Sequence, residues 1–248
     1  MSSSVKHLQA NLTTLSERIT LAARRAGRPA ESVTLIAVSK AFAADAVLAL
    51  ARCGQRHFGE NYLQEALAKI DTVRAAAPGL PLVWHFIGPI QSNKTRPIAE
   101  RFDWVQSVDR LKIAQRLSEQ RPAHLPPLNV LLQVNISGEA AKSGVAPGEL
   151  PALARAVAGL PRLRLRGLMA IPEPNDDPGE QRLPLAAMRR LFDEQRAAGF
   201  TDWDTLSMGM SADLEAAIEQ GATMIRVGTA LFGARLPRRD PAASGDTQ

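Results

Sequence analysis

The sequence predicts an α/β fold in which one (β/α)8 TIM barrel occupies most of the 248 residues. Eight short apolar or β-branched runs alternate with Ala- and Leu-rich segments of helical period, which indicates βα units and a parallel sheet. The length is close to the ~250 residues typical of such barrels. A doubly wound sheet is the alternative fold, but no G-x-G-x-x-G follows the first predicted strand.

The first predicted element is an amphipathic helix over the N-terminal residues, with leucine and isoleucine at helical spacing, which we expect to lie on the barrel. The predicted strands cover residues 33–39, 56–58, 82–87, 104–108, 128–134, 163–170, 204–207 and 224–227. The predicted helices between them cover residues 44–53, 61–76, 92–101, 110–120, 148–159, 182–198 and 212–220. We therefore expect one domain over residues 1–236 and a disordered tail over residues 237–248.

The composition narrows the classes of function. A net charge of +5 raises nucleic acid as a partner, but the charges are interleaved and only 4% of residues are aromatic, few for stacking bases. No apolar stretch is long enough to cross a bilayer, and the N-terminus lacks the apolar region of a signal peptide. Single Cys53, which we expect to be buried, excludes an internal disulfide, and four scattered histidines show no metal-ligand spacing. We expect a cytoplasmic protein with no nucleic-acid or membrane partner and no metal.

Lys40 ends the apolar run "VTLIAVSK" at the carboxyl end of the first predicted strand, where barrels place functional residues. The 30 basic residues include six lysines, which leaves 24 arginines, so arginine is the usual cation of this chain. A lysine differs from arginine in that it loses a proton readily and attacks a carbonyl group. Alternation along the strand places Lys40 on the same face as Ile36 and Val38. A solvated strand end is the alternative, and spacing alone favours it.

The loops after the last two predicted strands favour a functional lysine. "SMGMSAD" places Ser207 and Gly209 before a helix, and "VGTALFG" places Gly228 and Thr229 before a short helical turn. Free backbone N–H groups at such turns bind phosphate, and in barrels the loops after strands 7 and 8 are the frequent phosphate site. Either loop alone is explained by helix capping, but both together opposite a strand-end lysine form a more specific pattern.

Arg226 is predicted to point into the barrel, because it alternates with Met224 and Gly228 on the eighth strand. A guanidinium group only donates hydrogen bonds. Opposite a heteroaromatic nitrogen it would keep that nitrogen unprotonated.

The motifs "AVSK", "FGENYLQE", "HFIG..QSNK", "LRGLMAI", "LSMGMSAD" and "IRVGTALFG", in this order, closely resemble the YggS/PROSC family of pyridoxal phosphate homeostasis proteins. The resemblance extends from about residue 5 to about residue 235 and implies a monomeric, barrel-only version of the alanine racemase fold. The chain departs from the family pattern at Pro89–Ile90 and at Arg238 and Arg239, which puts accessory contacts in doubt.

The resemblance implies that pyridoxal 5′-phosphate (PLP) is bound as an internal aldimine on Lys40. It also implies the other cofactor contacts. The phosphate would lie on the turns of Ser207, Gly228 and Thr229 with Met208 beside it, Arg226 would face the pyridine nitrogen, and Asn61 would line the pocket. Lys142 and Lys94 are further candidates for ligand contact, with a solvated loop lysine and a helix start as their respective alternatives.

The sequence favours a non-catalytic protein that holds, buffers or delivers PLP to apo-enzymes. The alternative is a PLP-dependent amino-acid racemase, which needs a second base, typically a tyrosine, on the opposite face of the cofactor. The chain has one tyrosine, Tyr62, and we expect no additional C-terminal domain. Arg226 would also weaken the electron sink, although alanine racemases have arginine there too.

Overall fold

Eight parallel strands pair in chain order and close into a barrel through hydrogen bonds between the eighth and the first. The computed structural model describes residues 3–138, 143–173, 175 and 177–233. The strands are β1 Thr34–Val38, β2 His57–Glu60, β3 Val83–Phe86, β4 Trp104–Val108, β5 Leu128–Gln133, β6 Leu163–Met169, β7 Thr205–Ser207 and β8 Met224–Val227. The predicted fold class is confirmed, and each predicted strand is present within about two residues of its expected bounds.

Helices follow the strands and form the outer layer. They are α1 Ser3–Arg25, α2 Ala44–Arg52, α3 Leu63–Ala76, α4 Thr95–Arg101, α5 Leu111–Gln120, α6 Leu150–Ala158, α7 Pro178–Ala197, α8 Leu214–Glu219 and α9 Thr229–Phe232. Helix α7 begins four residues earlier than predicted, because the carboxylate of Asp177 caps it and accepts from the Gly179 and Glu180 amides. The short helical turn expected after Gly228 is α9. The predicted disordered tail, residues 237–248, lies outside the described residues.

The N-terminal helix α1 packs on the barrel, as predicted. Its Leu15 and Ile19 are buried in the main core, and Asn11 donates a hydrogen bond to the carbonyl of Leu231 at 2.9 Å. Arg18 forms an ion pair with Glu215 on α8 at 2.7 Å. These contacts attach α1 to the part of the barrel formed by the last two βα units.

Two apolar regions stabilise the molecule. The larger core lies between the strands and the helices, and the smaller one fills the inside of the barrel. The interior cluster consists of Ile36, Trp104, Leu131, Met169 and Met224, with Val83 packed against it. On β1, Ile36 belongs to the interior cluster whereas the next residue, Ala37, belongs to the larger core, which shows the alternation assumed for this strand.

Three sequence expectations concern surface and composition. Cys53 is half-exposed at the end of α2, not buried as expected, since the helix ends there and the following Gly54 turns the chain away at φ +99°. None of the described helices is long and apolar enough to cross a membrane. Among the described residues, no three His, Cys, Asp or Glu side chains are grouped to hold a metal ion.

Candidate functional site at the barrel mouth

Lys40 lies at the carboxyl end of β1, in a tight turn. The carbonyl of Ser39 accepts a hydrogen bond from the Phe42 amide at 3.0 Å, so Lys40 and Ala41 are the two central residues of the turn. Ala41 has a φ of +66°, a conformation that normally favours glycine. The Lys40 side chain is half-buried. The lysine is thus held at a sharp corner of the chain, two residues beyond the end of β1.

A cluster of charged side chains lies on the outer side of this turn, under α3. Lys69 of α3 donates to the Ser39 carbonyl at 2.6 Å, to Glu60 Oε1 at 2.6 Å and to Glu65 Oε1 at 3.0 Å. Ser39 Oγ donates to Glu60 Oε1 at 2.6 Å, and the Ala41 amide donates to Glu65 Oε1 at 2.6 Å. We call Glu60, Glu65 and Lys69 the turn cluster. It binds the residues on both sides of Lys40.

The turn cluster is mostly removed from solvent. The side chains of Lys69 and Glu60 are 4% and 0% exposed, and that of Glu65 is 27% exposed. Burial raises the pKa of Glu60, and the neighbouring Lys69 ammonium opposes that rise. Glu60 Oε2 is buried and has no hydrogen-bond partner in the part of the chain that the structure describes.

Arg226 points into the barrel from β8, as predicted. Its guanidinium donates to Ser207 Oγ at 2.6 Å and to the Ala170 carbonyl at 2.8 Å, both neutral groups. Burial lowers the pKa of Arg226 to about 10, and the more distant Asp213 opposes this. Arg226 pairs with Ile36 in the register between β8 and β1, so it lies level with a residue four positions before Lys40.

A chain of polar side chains crosses the barrel interior from Arg226. Ser207 Oγ donates to Gln106 Oε1 at 2.7 Å, Gln106 Nε2 lies 3.0 Å from His85 Nδ1, and His85 Nε2 lies 2.9 Å from His57 Nδ1. Since an amide nitrogen only donates, His85 Nδ1 accepts, and its Nε2 carries the proton that is donated to His57. Every member therefore donates to the next, from β8 to β2.

Burial keeps the two histidines of this chain neutral. It holds the pKa of His85 well below its usual value, and the neighbouring His57 lowers it further. Burial also lowers the pKa of His57, although Asp103 opposes the effect. Neutral rings are what the direction of donation requires, because a doubly protonated His85 would face the amide hydrogens of Gln106.

Ser207 and Met208, expected beside a phosphate, both have buried side chains. The hydroxyl of Ser207 is bonded to Arg226 and Gln106 inside the barrel, and Met208 packs in the main core. These observations give Ser207 a second role, holding the guanidinium. Phosphate contacts at these two positions stay predictions.

Gly228 and Thr229 lie at the start of α9, beside the Lys40 strand. A Cβ on Gly228 would lie 3.4 Å from the Val38 carbonyl oxygen, so β8 and β1 approach closely there. The Gly228 carbonyl accepts from the Leu231 and Phe232 amides, and Thr229 is exposed. Their contact with a phosphate also stays a prediction.

Asn61 lines a cavity of about 300 Å³ at the barrel mouth, together with Ile87, Gln133 and Ile171. Its Oδ1 is buried, and no other described residue forms a hydrogen bond with it. The segment is held close to the loop after β3, since a Cβ on Gly88 would lie 2.3 Å from the Asn61 carbonyl oxygen. Asn61 therefore presents a buried polar atom at a cavity, as a ligand contact requires.

The other candidates lie apart or outside the description. Lys94 is half-buried at the end of a short 3-10 turn, Ser92–Lys94, that leads into α4, so the helix-start alternative describes its backbone. Pro89 of the departing "HFIGPIQSNK" motif lines the cavity with Asn61. Lys142, like Arg238 and Arg239, lies outside the described residues.

Sequence reasoning missed the turn cluster and the interior chain. The scarcity of lysine, which drew attention to Lys40, applies equally to Lys69 and would have found it. A glutamine in the middle of the apolar strand "WVQSV" was a signal for Gln106, since polar groups inside a barrel need partners. His57 and His85 lie on the neighbouring strands β2 and β3 among apolar residues. Their positions in the sequence gave no comparable signal of a polar chain.

The closed barrel, with Lys40 after its first strand and Arg226 inside it, first indicates a class of fold. A family model, the alanine racemase N-terminal domain, matches residues 10–236, and the chain belongs to that class of barrels. Alanine racemase from Corynebacterium glutamicum has the same fold, with a TM-score of 0.65 at 19% identity, and the match covers 95% of this chain and 63% of the racemase.

The relatives narrow the class to a family. A pyridoxal phosphate homeostasis protein from Pseudomonas aeruginosa is 63% identical over 91% of this chain and 94% of its own length. The structure of PipY from Synechococcus elongatus with PLP bound has a TM-score of 0.76 at 39% identity, and the match covers 88% of this chain and 99% of PipY. The chain belongs to the pyridoxal phosphate homeostasis protein family, which confirms the resemblance stated from its motifs.

Proposed function

We propose that this protein binds PLP on Lys40 and serves PLP homeostasis by holding, buffering or delivering the cofactor, without catalysing a reaction. The observation that supports this most directly is a lysine just beyond the carboxyl end of β1 and a buried arginine inside the barrel on the neighbouring strand, level with the residue four positions before that lysine. The names of the relatives and the PLP bound to PipY support the choice of ligand.

The residues present fit two groups of PLP, its aldehyde and its pyridine nitrogen. PLP supplies an aldehyde, which condenses with a primary amine and releases water, a pyridine nitrogen and a phosphate. Lys40 offers the amine, and it must lose a proton to attack, which lysine does and arginine does not. Arg226, which meets only neutral partners in its hydrogen bonds, suits the unprotonated ring nitrogen.

Asn61, Gly228 and Thr229 would complete the site. The buried Asn61 Oδ1 needs a donor that the described part of the chain does not offer, so a bound ligand or water would satisfy it. The turns at Gly209 and Gly228–Thr229 would hold the phosphate through their backbone amides, since the Met208 amide already donates to the Met224 carbonyl at 3.2 Å. Ser207 would act chiefly by fixing Arg226.

The carrier function is favoured over a racemase by the surroundings of Tyr62. Racemisation needs two bases on opposite faces of the cofactor. Tyr62 is 55% exposed, so its phenol is not held in a buried, fixed position from which it could serve as the second base. Lys40 is then a tether for the cofactor. We further propose a cytoplasmic monomer that passes PLP to apo-enzymes in transient contacts.

Two experiments test the proposal. Purified protein incubated with PLP should develop the absorbance band of a Schiff base, and Lys40→Ala should abolish it. Lys112→Ala, which removes an exposed lysine of α5, is the matched control and should keep the band. A wild-type protein that shows no band refutes PLP attachment.

The second experiment separates carrier from enzyme. The PLP-loaded protein is incubated with D- and L-alanine in deuterated water, and α-proton exchange is followed by NMR. We expect none above the rate of free PLP. Exchange that is lost in Lys40→Ala would establish the racemase alternative, whereas transfer of PLP to an apo-enzyme faster than release into solution would support delivery.

A further inference from the structure

The turn that contains Lys40 is held from outside the barrel. The residues on both sides of Lys40 make their hydrogen bonds on the side of the helix layer, toward α3. There each meets one carboxylate of the turn cluster: Ser39 Oγ donates to Glu60, and the Ala41 amide donates to Glu65, both at 2.6 Å. Lys69 joins the two carboxylates and also donates to the Ser39 carbonyl.

The turn requires such support because of Ala41. An alanine at φ +66° is in the left-handed region, where the Cβ is crowded and glycine is normally found. A strained residue of this kind persists only when its surroundings fix it. The hydrogen bond from the Ala41 amide to Glu65 is charge-assisted, which makes it stronger than a bond between neutral groups.

We propose that Glu65 and Lys69, anchored by Glu60, are positioning residues that keep the Ser39–Phe42 turn in its strained form and so aim the Lys40 amine into the barrel mouth. This inference rests on the proposed attachment of PLP to Lys40. None of the three side chains acts on the cofactor. Their effect reaches it through the backbone on both sides of the lysine.

Glu65 gives the cleanest test, since its side chain is partly exposed. When it is removed, the buried ammonium of Lys69 remains paired with Glu60. Glu65→Ala removes the acceptor for the Ala41 amide, whereas Glu65→Gln keeps an oxygen there. Glu194→Ala is the control, because among the described residues the carboxylate of Glu194 forms a surface pair with Arg190 alone, at 3.8 Å within α7. The equilibrium constant and rate of Schiff-base formation with PLP are measured, and borohydride reduction with peptide mapping identifies the modified lysine.

We expect Glu65→Ala to weaken and slow attachment about tenfold, roughly the size of one charge-assisted hydrogen bond. Glu65→Gln keeps the acceptor oxygen but loses the charge, so its loss should be smaller, about threefold, while Glu194→Ala stays within about twofold of the wild type. Thermal unfolding of each variant without PLP should show that all remain folded. A structural defect alone would not give this difference between alanine and glutamine at equal folding.

Ala41→Gly supplies a second, independent readout. Glycine adopts the positive φ without strain, so in the Ala41→Gly background the loss caused by Glu65→Ala should shrink to about threefold or less. The positioning role would be overturned if the Glu65→Ala variant attached PLP as well as the wild type does. It would also be overturned if Glu65→Ala lowered attachment equally with Ala41 and with Gly at position 41. Either result would leave PLP binding by the wild type intact. Absence of attachment in the wild type would instead refute the proposed function, and this inference with it.

Discussion

The interior chain makes a strong prediction at Ser207, whose side chain is fully buried. Ser207→Ala removes the acceptor for Arg226 Nη1, at 2.6 Å, and the donor to Gln106 Oε1, at 2.7 Å. A hydrogen bond to a charged group contributes about 1.5 to 3 kcal/mol, and a buried acceptor left without a partner costs about 1 to 3 kcal/mol. We therefore expect the free energy of unfolding to fall by roughly 3 kcal/mol, or by about 6 to 12 °C in melting temperature for a chain of this length.

Urea unfolding followed by circular dichroism measures this loss, with Ser16→Ala as the matched control. Ser16 donates only to the Leu12 carbonyl on the exposed face of α1, so the same substitution there should change stability by less than about 0.5 kcal/mol. PLP affinity should also fall in Ser207→Ala, because the guanidinium keeps only its bond to Ala170. A loss below about 1 kcal/mol with an unchanged m-value would refute the energetic role assigned to the chain.

Three further outcomes are expected. Burial holds the pKa of His85 well below its usual value, so the folded state binds fewer protons than the unfolded state. The free energy of unfolding should therefore decrease as pH falls below about 6.5. Urea titrations at several pH values should show this dependence, and His85→Gln should make it weaker. Gly209→Ala should destabilise the protein by about 2 to 5 kcal/mol, since its Cβ would lie 2.5 Å from that of Ala217 at φ +93°, while Gly79→Ala, with open space around it, should be nearly neutral in thermal melts. Arg226→Lys should weaken PLP binding in spectroscopic titrations, because one ammonium cannot span the two acceptors of the guanidinium; equal affinity would contradict that contact.

The architecture of the molecule was predictable because it depends on period and length. Eight apolar runs and the amphipathic segments between them were enough to predict a closed parallel barrel. The observed bounds of each strand lie within two residues of the predicted bounds. The exceptions are local. The start of α7 depends on a single capping carboxylate, Asp177, and the exposure of Cys53 depends on where one helix ends.

The site was predictable only in its inward row. Strand alternation placed Arg226 correctly inside the barrel, because neighbouring residues must face opposite sides of a strand, and Lys40 follows the first strand as predicted. The partners of these two residues come from strands and a helix far away in the chain, such as Gln106 from β4 and Lys69 from α3. Pairings of that kind depend on the barrel register, which no single stretch of sequence contains.

The two sides of β1 divide the work of the site between them. Inward residues of β1 such as Ile36 face the barrel interior, but each is flanked by residues that face the helix layer, so contacts on the outer side help to fix the geometry of the inner side. At Lys40 the outer attachments are ionic and mostly buried, and the backbone between them is strained. A purely apolar outer layer would pack as well but would not fix the direction of one amide and one carbonyl. The charged cluster under α3 is therefore explained better by the aim of the lysine than by the stability of the barrel, because a buried ion pair adds little stability over apolar packing of the same volume.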